Sequence, residues 1–186
     1  FYKNNIRTNI DEFMNITAGT NKLLKSEINI SDEFTGALVP IGGGKDSIVT
    51  LNVIKDDFAN NMCYVINPRG ATEETAGTAG YGENKRCYVK RTLDKNILDL
   101  NKQGYLNGHT PFSSIVAFSA LIVAYLNKKK YIVLSNEASA NESTIYEEEV
   151  NHQYSKSYEF EQDFNEYVKE NILDGIEYFS LLRPIS

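Results

Sequence analysis

The sequence predicts an α/β fold with a mainly parallel sheet of about four to five strands and helices on both faces. Three observations predict it: short apolar runs, longer segments of helical periodicity between them, and a glycine-rich turn after the first apolar run. The apolar runs are rich in β-branched and aromatic residues, as strands are. Because they lack regular polar alternation, they are typical of strands buried on both faces of a parallel sheet.

The elements follow in order from turn residues and periodicity. The predicted strands are Ala37–Ile41, Met62–Ile66, Cys87–Arg91 and Tyr131–Leu134. The predicted helices are Asp46–Lys55, Thr72–Ala79, Pro111–Leu126 and Tyr158–Lys169. The third helix has the clearest start, because Thr110 can cap it and Pro111 suits the first helical turn. The second follows the turn sequence Asn-Pro-Arg-Gly at 67–70.

The predicted domain covers residues 37–186, and residues 1–36 are predicted to form an N-terminal segment that packs on it. The chain has no initiator methionine and stops without a polar tail. We therefore expect a fragment of a longer chain. Its oligomeric state is left open by the sequence.

Composition narrows the class of protein. The chain has 186 residues, of which 41% are apolar and 24% charged, the balance of a folded globular protein. A formal net charge of −6 repels nucleic acid, which is therefore not an expected partner. No apolar run is long enough to span a bilayer, so no membrane partner is expected. Two separated cysteines, Cys63 and Cys87, form no metal signature or disulfide framework, which indicates the reducing cytoplasm.

The glycine-rich turn follows the first predicted strand and comprises Gly42, Gly43, Gly44, Lys45, Asp46 and Ser47. Consecutive glycines let the main chain approach a ligand, and their amides, with those of the following helix, can converge on phosphate oxygens. Lys45 adds a cation. Asp46 would repel bare phosphate, so its presence indicates a divalent cation between them. The sequence therefore predicts a phosphate site with Asp46 as metal ligand.

The spacing of this loop narrows the nucleotide chemistry. It lacks the Gly-x-x-x-x-Gly-Lys-Ser/Thr spacing of the Walker loop and the Gly-x-Gly-x-x-Gly of dinucleotide-binding folds. It resembles the Ser-Gly-Gly-x-Asp-Ser loop of the N-type ATP pyrophosphatases, the PP-loop superfamily. Gly43, Gly44, Asp46 and Ser47 match that pattern, and Gly42 replaces its first serine. The resemblance implies a Rossmann-like PP-loop fold, ATP as ligand, and cleavage between its α and β phosphates.

Polar residues concentrate in three further segments, 107–111, 135–142 and 150–157. The two histidines of the chain, His109 and His152, lie in them, and histidine exchanges protons near neutral pH. Glu137 follows a predicted strand, so it should share the carboxyl edge of the sheet with the glycine loop. It can bind a cation or act as a base. Lys156 can neutralise phosphate or a substrate carboxylate.

Together these segments resemble the UDP-N-acetyl-muramoyl-L-alanyl-L-glutamate epimerase family. The residues that carry the resemblance are Gly-Gly-Gly-Lys-Asp-Ser, Asn-Gly-His-Thr-Pro, Ser-Asn-Glu-Ala-Ser-Ala-Asn-Glu, Val-Asn-His-Gln-Tyr-Ser-Lys-Ser and Glu-Tyr-Phe-Ser-Leu-Leu-Arg-Pro. The resemblance runs from about Ala37 to the end of the chain. It implies a cytoplasmic step of peptidoglycan precursor synthesis that uses ATP and Mg²⁺. The terminal L-glutamate of a nucleotide-sugar peptide would be converted to D-glutamate.

The implied chemistry suits the residue types. Adenylating the glutamate carboxylate removes a negative charge that would face the carbanion, so an ordinary base can then remove the α-proton. Our hypothesis assigns this proton transfer to His109, Glu137, His152 and Lys156. It leaves open which of them plays which part. Asn136 and Arg183 are assigned to the substrate, Arg183 through its planar fork on a carboxylate.

Two other functions are compatible with the sequence. Another adenylating enzyme of the superfamily would amidate or thiolate its substrate, for example transfer RNA. The negative net charge and the absence of paired cysteines argue against a thiolase. A non-catalytic nucleotide-binding module is favoured by Gly42 in place of serine. Product mass separates the first alternative from epimerisation, and ATP–pyrophosphate exchange separates the second.

Overall fold

The computed structural model describes residues 5–13, 15, 17, 19, 30, 32–106, 111–141 and 154–184. The strands are β1 (Ala37–Pro40), β2 (Met62–Ile66), β3 (Arg86–Val89), β4 (Tyr131–Leu134) and β5 (Glu177–Ser180). The helices are α1 (Ile10–Phe13), α2 (Lys45–Val53), α3 (Gly70–Thr78), α4 (Lys95–Lys102), α5 (Phe112–Leu126) and α6 (Tyr158–Asn171). Single turns of 3-10 helix occupy Lys55–Asp57, Glu83–Lys85, Ala138–Asn141 and Tyr154–Lys156.

The chain divides into two compact units, one of Phe1–Lys25 with Thr92–Thr110 and one of Ser26–Arg91 with Pro111–Ser186. The described part of the smaller unit contains α1 and α4. The larger unit contains the sheet and the other helices. The prediction that residues 1–36 pack on the domain stays a prediction.

The sheet has five parallel strands in the order β3-β2-β1-β4-β5. In the centre, Val39 of β1 pairs with Cys63 of β2, and Leu38 pairs with Ile132 of β4. Strands that follow one another in the chain are therefore joined by crossover connections, as parallel strands require. This confirms the predicted α/β class with a parallel sheet.

Side chains of the central strand alternate between two cores, one on each face of the sheet. Leu38 lies in a core with Leu121 of α5 and Phe164 of α6. Its neighbour Val39 lies in a second core with Leu51 of α2. Helices therefore cover both faces, as predicted, and the connections β1–α2 and β2–α3 emerge at the same carboxyl edge of the sheet.

Two of the elements that were not predicted, β5 and α4, have identifiable causes. Strand β5 lies at the edge of the sheet and pairs with β4 alone. Tyr178 and Ser180 are buried, whereas Glu177 is exposed and Phe179 is half-buried, so Glu-Tyr-Phe-Ser lacks the apolar run of a strand that is buried on both faces. Helix α4 begins after Asp94, whose carboxylate accepts from the amide of Asn96 at 2.8 Å. That capping aspartate is the sequence signal for α4.

Boundaries of the predicted elements shift by a few residues. Strand β1 ends at Pro40, although the amide of Ile41 still donates to the carbonyl of Tyr64 at 2.9 Å. Helix α5 begins at Phe112 with Pro111 at its N-cap. The proposed cap Thr110 lies outside the described residues. Within the described part of the chain, no helix has the length and apolar character needed to cross a bilayer.

Candidate functional site

The glycine loop joins β1 to α2 and leaves the start of that helix uncovered by any side-chain cap. Gly44 occupies the N-cap position in an extended conformation, and no side chain accepts a hydrogen bond there. The first amides of a helix have no partners within the helix, and they carry partial positive charge. The amide of Gly42 donates to the Ser47 hydroxyl at 3.4 Å, which closes the loop. The loop therefore presents backbone donors, the arrangement that binds phosphate.

The three glycines differ in what surrounds them. Gly43 has a φ of +86°, and a Cβ atom there would lie 3.1 Å from the Cβ of Ala71 and 3.2 Å from the amide nitrogen of Thr72. The loop is thus pressed against the first turn of α3. At Gly42 and Gly44, an added Cβ would meet nothing within 4 Å. The first contact explains why Gly43 is glycine, and the open space leaves room for a ligand at the other two.

A cavity of about 470 Å³ opens beside the loop, a size usual for small-molecule sites. Its wall includes Gly42, Gly44, Asp46 and Ser47. The buried Tyr64 also lines this cavity, and its hydroxyl donates to the Ser119 hydroxyl at 2.7 Å. Burial raises the pKa of Tyr64, so this phenol stays neutral and acts as a hydrogen-bonding group.

The segment after β4 also lines the cavity, through Ser135 and Asn136. The Thr50 hydroxyl of α2 donates to the Ser135 hydroxyl at 2.8 Å. Thr50 is fully buried, so this bond holds the β4 segment against the helix that follows the glycine loop. The predicted substrate residue Asn136 therefore lies in the same cavity as the predicted phosphate loop.

The side chains of Lys45, in the glycine loop, and Glu137, after β4, lie close together. Their Nζ and Oε1 atoms lie 4.0 Å apart, with side chains 86% and 35% exposed. An ion pair as exposed as this contributes at most about 1 kcal/mol. Its importance is positional, because it places the predicted base beside the predicted phosphate-binding cation.

Arg183, predicted to bind substrate, is surrounded by protein acceptors. Its guanidinium donates to the carboxylate of Glu161, the side-chain oxygen of Asn141, and the backbone carbonyls of Glu137 and Lys156. These contacts bring Arg183 next to Glu137 and to the turn that carries the exposed Lys156. His109 and His152 lie outside the described residues.

The β2–α3 connection, the first turn of α3, and α5 contribute residues to the cavity wall that the sequence did not predict. They are Asn67, Arg69, Thr72, Phe112, Ser113 and Val116. Asn67 has a φ of +50°, and its side chain both donates to the carbonyl of Arg91 and accepts from its amide, each at 2.8 Å. The Asn-Pro-Arg-Gly turn at the carboxyl end of a strand is the signal that could have identified this wall.

No group of three or more His, Cys, Asp or Glu side chains among the described residues could enclose a metal ion. Mg²⁺ does not require such a cage, because it is usually held by one or two carboxylates together with substrate phosphates and water. Asp46, on the cavity wall beside the backbone donors of the loop, fits that kind of site.

Comparison with known proteins gives consistent matches. The model of the MurL N-terminal domain matches residues 1–181. The chain is 35% identical over 152 residues to the UDP-N-acetyl-alpha-D-muramoyl-L-alanyl-L-glutamate epimerase of Xanthomonas oryzae pv. oryzae, covering 81% of this chain and 33% of that protein. It is 34% identical over 151 residues to the protein of the same name from Salinispora tropica, covering 80% and 32%. The chain thus spans about a third of the length of the curated relatives it matches.

Among solved structures, the chain is similar to a predicted subunit of a tRNA methyltransferase from Methanocaldococcus jannaschii. The TM-score is 0.42 and the identity 20%, over 81% of this chain and 69% of that one. At these values the likeness carries no conclusion about function.

Proposed function

This chain belongs to the MurL N-terminal domain family, and we propose that it forms the nucleotide-binding part of an ATP- and Mg²⁺-dependent epimerase. The substrate is UDP-N-acetyl-muramoyl-L-alanyl-L-glutamate, and the product carries D-glutamate at the terminal position. Membership of the family confirms the resemblance predicted from the sequence. The activity is proposed for the cytoplasm, as a step of peptidoglycan precursor synthesis.

One observation is the main support for the proposal. The glycine loop packs against α3 at Gly43, and it borders a cavity at Gly42 and Gly44. A loop held in this way presents backbone donors without having to reorganise when an anion arrives. ATP would bind with its phosphates on Gly42–Ser47, and Asp46 would hold Mg²⁺ together with phosphate oxygens. Bound Mg²⁺ would neutralise part of the phosphate charge, and Lys45 would add to that effect.

The first step of the proposed reaction activates the substrate. An oxygen of the glutamate carboxylate forms a bond to the α-phosphorus of ATP, the bond between the α and β phosphates breaks, and pyrophosphate leaves. The substrate is then a mixed anhydride without carboxylate charge. Its α-proton is removed from one face and a proton is returned on the other, and hydrolysis releases AMP and the epimerised peptide.

Proton transfer is proposed for His109, Glu137, His152 and Lys156. The position of Glu137, beside Lys45 and after the cavity residues Ser135 and Asn136, supports its part in this set. Asn136 is proposed to contact the substrate from the cavity wall. Binding of a substrate carboxylate by Arg183 stays a prediction, and the contacts of its guanidinium place it at the same end of the site.

The test uses the full-length protein with ATP, Mg²⁺ and the L-glutamate substrate in deuterated water. We expect AMP and pyrophosphate, a product containing D-glutamate, and a mass increase of one deuterium at the α-carbon. In ordinary water the product mass should equal that of the substrate. An amidated or thiolated product would instead support another adenylating enzyme. If the protein binds ATP without ATP–pyrophosphate exchange, it is a binding module and the proposal fails.

Four single variants test which residues transfer the α-proton. Alanine in place of His109, Glu137, His152 and Lys156, one at a time, should slow the exchange of the α-proton into solvent in at least one case. If all four variants exchange at the wild-type rate, the proton-transfer assignment is wrong even though epimerisation itself stands.

A further inference from the structure

A buried carboxylate lies beneath the loop that follows β4. Glu161, on the first turn of α6, is 4% exposed. A buried charge is costly unless it is paired and hydrogen-bonded. Its neighbours on α6 that face the core are apolar, namely Phe160, Phe164 and Val168. The carboxylate therefore interrupts an otherwise apolar helix face, and its partners explain how it is tolerated.

The carboxylate of Glu161 accepts hydrogen bonds from Ser180, the last residue of β5, and from Arg183, which follows that strand. Its Oε2 accepts from the amide of Ser180 at 3.2 Å, and its Oε1 accepts from the Ser180 hydroxyl. Oε1 also accepts from Nε and Nη2 of Arg183, at 3.1 and 2.8 Å. The Arg183 side chain is 10% exposed, so water screens this pair little.

From this pair, hydrogen bonds extend to both sides of Glu137. Arg183 Nη1 donates to the carbonyl of Glu137 at 3.4 Å and to Oδ1 of Asn141 at 3.0 Å. The Ser180 hydroxyl accepts from Nδ2 of Asn136 at 3.0 Å. Glu161 therefore acts on this loop through two residues. Ser180 holds the side chain of Asn136, and Arg183 holds the backbone of Glu137 and the side chain of Asn141.

The docking of α6 on the sheet has separate supports. The side chain of Asn165 donates to the carbonyl of Tyr178 at 2.7 Å and accepts from its amide at 2.9 Å. The rings of Phe164 and Tyr178 lie with centroids 4.8 Å apart. These contacts do not involve Glu161. The polar bonds of Glu161 therefore act mainly on the loop that carries Glu137.

We propose that Glu161 is a positioning residue for the reaction: acting through Arg183 and Ser180, it fixes Asn136 and Glu137 against the glycine loop. This inference rests on the proposed function, since Glu137 belongs to the proton-transfer set proposed there. Its physical basis is geometry, because a displacement of about 1 Å in a reacting group costs on the order of 10²-fold in rate. The nucleotide loop, on β1 and α2, is held by other contacts and should be unaffected.

The experiment compares two changes at this site in the full-length protein. Glu161→Gln keeps the size of the side chain but leaves the Arg183 cation without a counter-charge. The double variant Glu161→Met with Arg183→Met removes both charges and keeps volume, a replacement that often leaves stability intact. The matched control is Glu73→Gln, which removes a counter-charge from Arg86, an arginine whose side chain is also 10% exposed but which lies on the β3 edge.

We expect both Glu161 variants to lose about 10²-fold in kcat for epimerisation. The KM for ATP should stay near the wild-type value, and the double variant should melt close to the wild type. Glu73→Gln should keep the wild-type kcat. A lower kcat with an unchanged KM for ATP and a normal melting temperature would indicate positioning. A merely structural role for Glu161 would lower the melting temperature as well.

Two results overturn the inference while the proposed function stands: wild-type kcat in the double variant, or a loss of kcat that appears only in variants that have also lost their folded structure. If the wild-type protein exchanges pyrophosphate with ATP but does not epimerise, the proposed function fails. The positioning role then fails with it, because that role concerns proton transfer and not adenylation. If the wild-type protein does neither, both ideas are wrong.

Discussion

At the scale of single residues, Gly43 is the position in the glycine loop where a side chain cannot be accommodated. Alanine at its φ of +86° is disfavoured by roughly 1–2 kcal/mol, and its Cβ would press on Ala71 and Thr72 of α3. We therefore expect Gly43→Ala to lower the melting temperature and to weaken ATP binding. Thermal unfolding and calorimetric titration of the full-length protein with ATP and Mg²⁺ measure the two effects.

A matched control exists in the same unit. Gly80 has a φ of +84°, and the nearest atom to an added Cβ belongs to the Phe58 ring at 4.0 Å. Gly80→Ala therefore carries a similar backbone strain away from the cavity, and it should lower the melting temperature while the ATP affinity stays unchanged. Equal ATP affinities in the two variants would show that the glycine loop is not the nucleotide site.

The residue scale is also where sequence and structure agree most closely about the site. The glycine loop was identified from six consecutive residues, because its chemistry depends on neighbours in the chain. The need for glycine at position 43 in particular depends on α3, which the local pattern does not contain. Glu161 was missed for the same reason, since its partners Ser180 and Arg183 are 19 and 22 residues away.

At the scale of elements, edge strand β3 is attached to α3 by Arg86 and Tyr88, which both donate to Glu73. Arg86 donates from Nη1 to Glu73 at 2.6 Å and to Glu83 at 3.2 Å, and from Nε to the carbonyl of Tyr81 at 2.7 Å. Lysine cannot reproduce this fork, so Arg86→Lys should lower the free energy of unfolding by about 1–3 kcal/mol. Urea denaturation measures the change.

The comparison variant is Glu33→Gln, which removes an exposed partner of Lys128. Lys128 holds the pKa of Glu33 below its usual range through a hydrogen bond and its charge, but solvent screens the pair. The urea midpoint of this variant should match that of the wild type. If Arg86→Lys also unfolds at the wild-type midpoint, the arginine does not hold the edge strand.

Helix α5 provides a second prediction at this scale, from two adjacent residues. Leu121 is 4% exposed and belongs to the core with β1 and β4, whereas Ile122 is 62% exposed. Leu121→Ala should cost about 2–5 kcal/mol of stability, because it leaves a cavity in a packed core. Ile122→Ala should change stability little. Chemical denaturation of both variants tests the orientation of the helix, and equal losses would contradict it.

At the scale of the whole molecule, the reactivity of the Cys63 thiol measures how often the sheet opens. Cys63 is fully buried on β2, and burial raises the pKa of its thiol to about 12, whereas Cys87 on β3 is half-buried. Only the thiolate reacts with a disulfide reagent, and a raised pKa lowers the thiolate fraction below pH 12. In a Cys87→Ser variant at pH 8, we expect Cys63 to react only through global unfolding, at a rate set by the unfolded population and its thiolate fraction.

Urea should accelerate this labelling in step with unfolding, and a rise in pH should accelerate it by increasing the thiolate population. With Cys63→Ser instead, the remaining Cys87 should react faster. Burial raises the pKa of Cys87 as well, but its half-buried thiol is less completely protected by the fold. Labelling of Cys63 at the rate of a free thiol would mean that the sheet opens locally at β2.

By itself, the sequence determined the α/β class, the four apolar strands, the glycine loop and the family, because each depends on residues close together in the chain or on short segments recognised separately. Tertiary structure alone decided the strand order β3-β2-β1-β4-β5, the edge strand β5, and the wall built by Asn67 and Arg69. It also decided the pairing of Glu161 with Arg183. The physical reason is that these features arise when distant segments close on one another, and a local pattern carries no information about which distant partner satisfies a polar group.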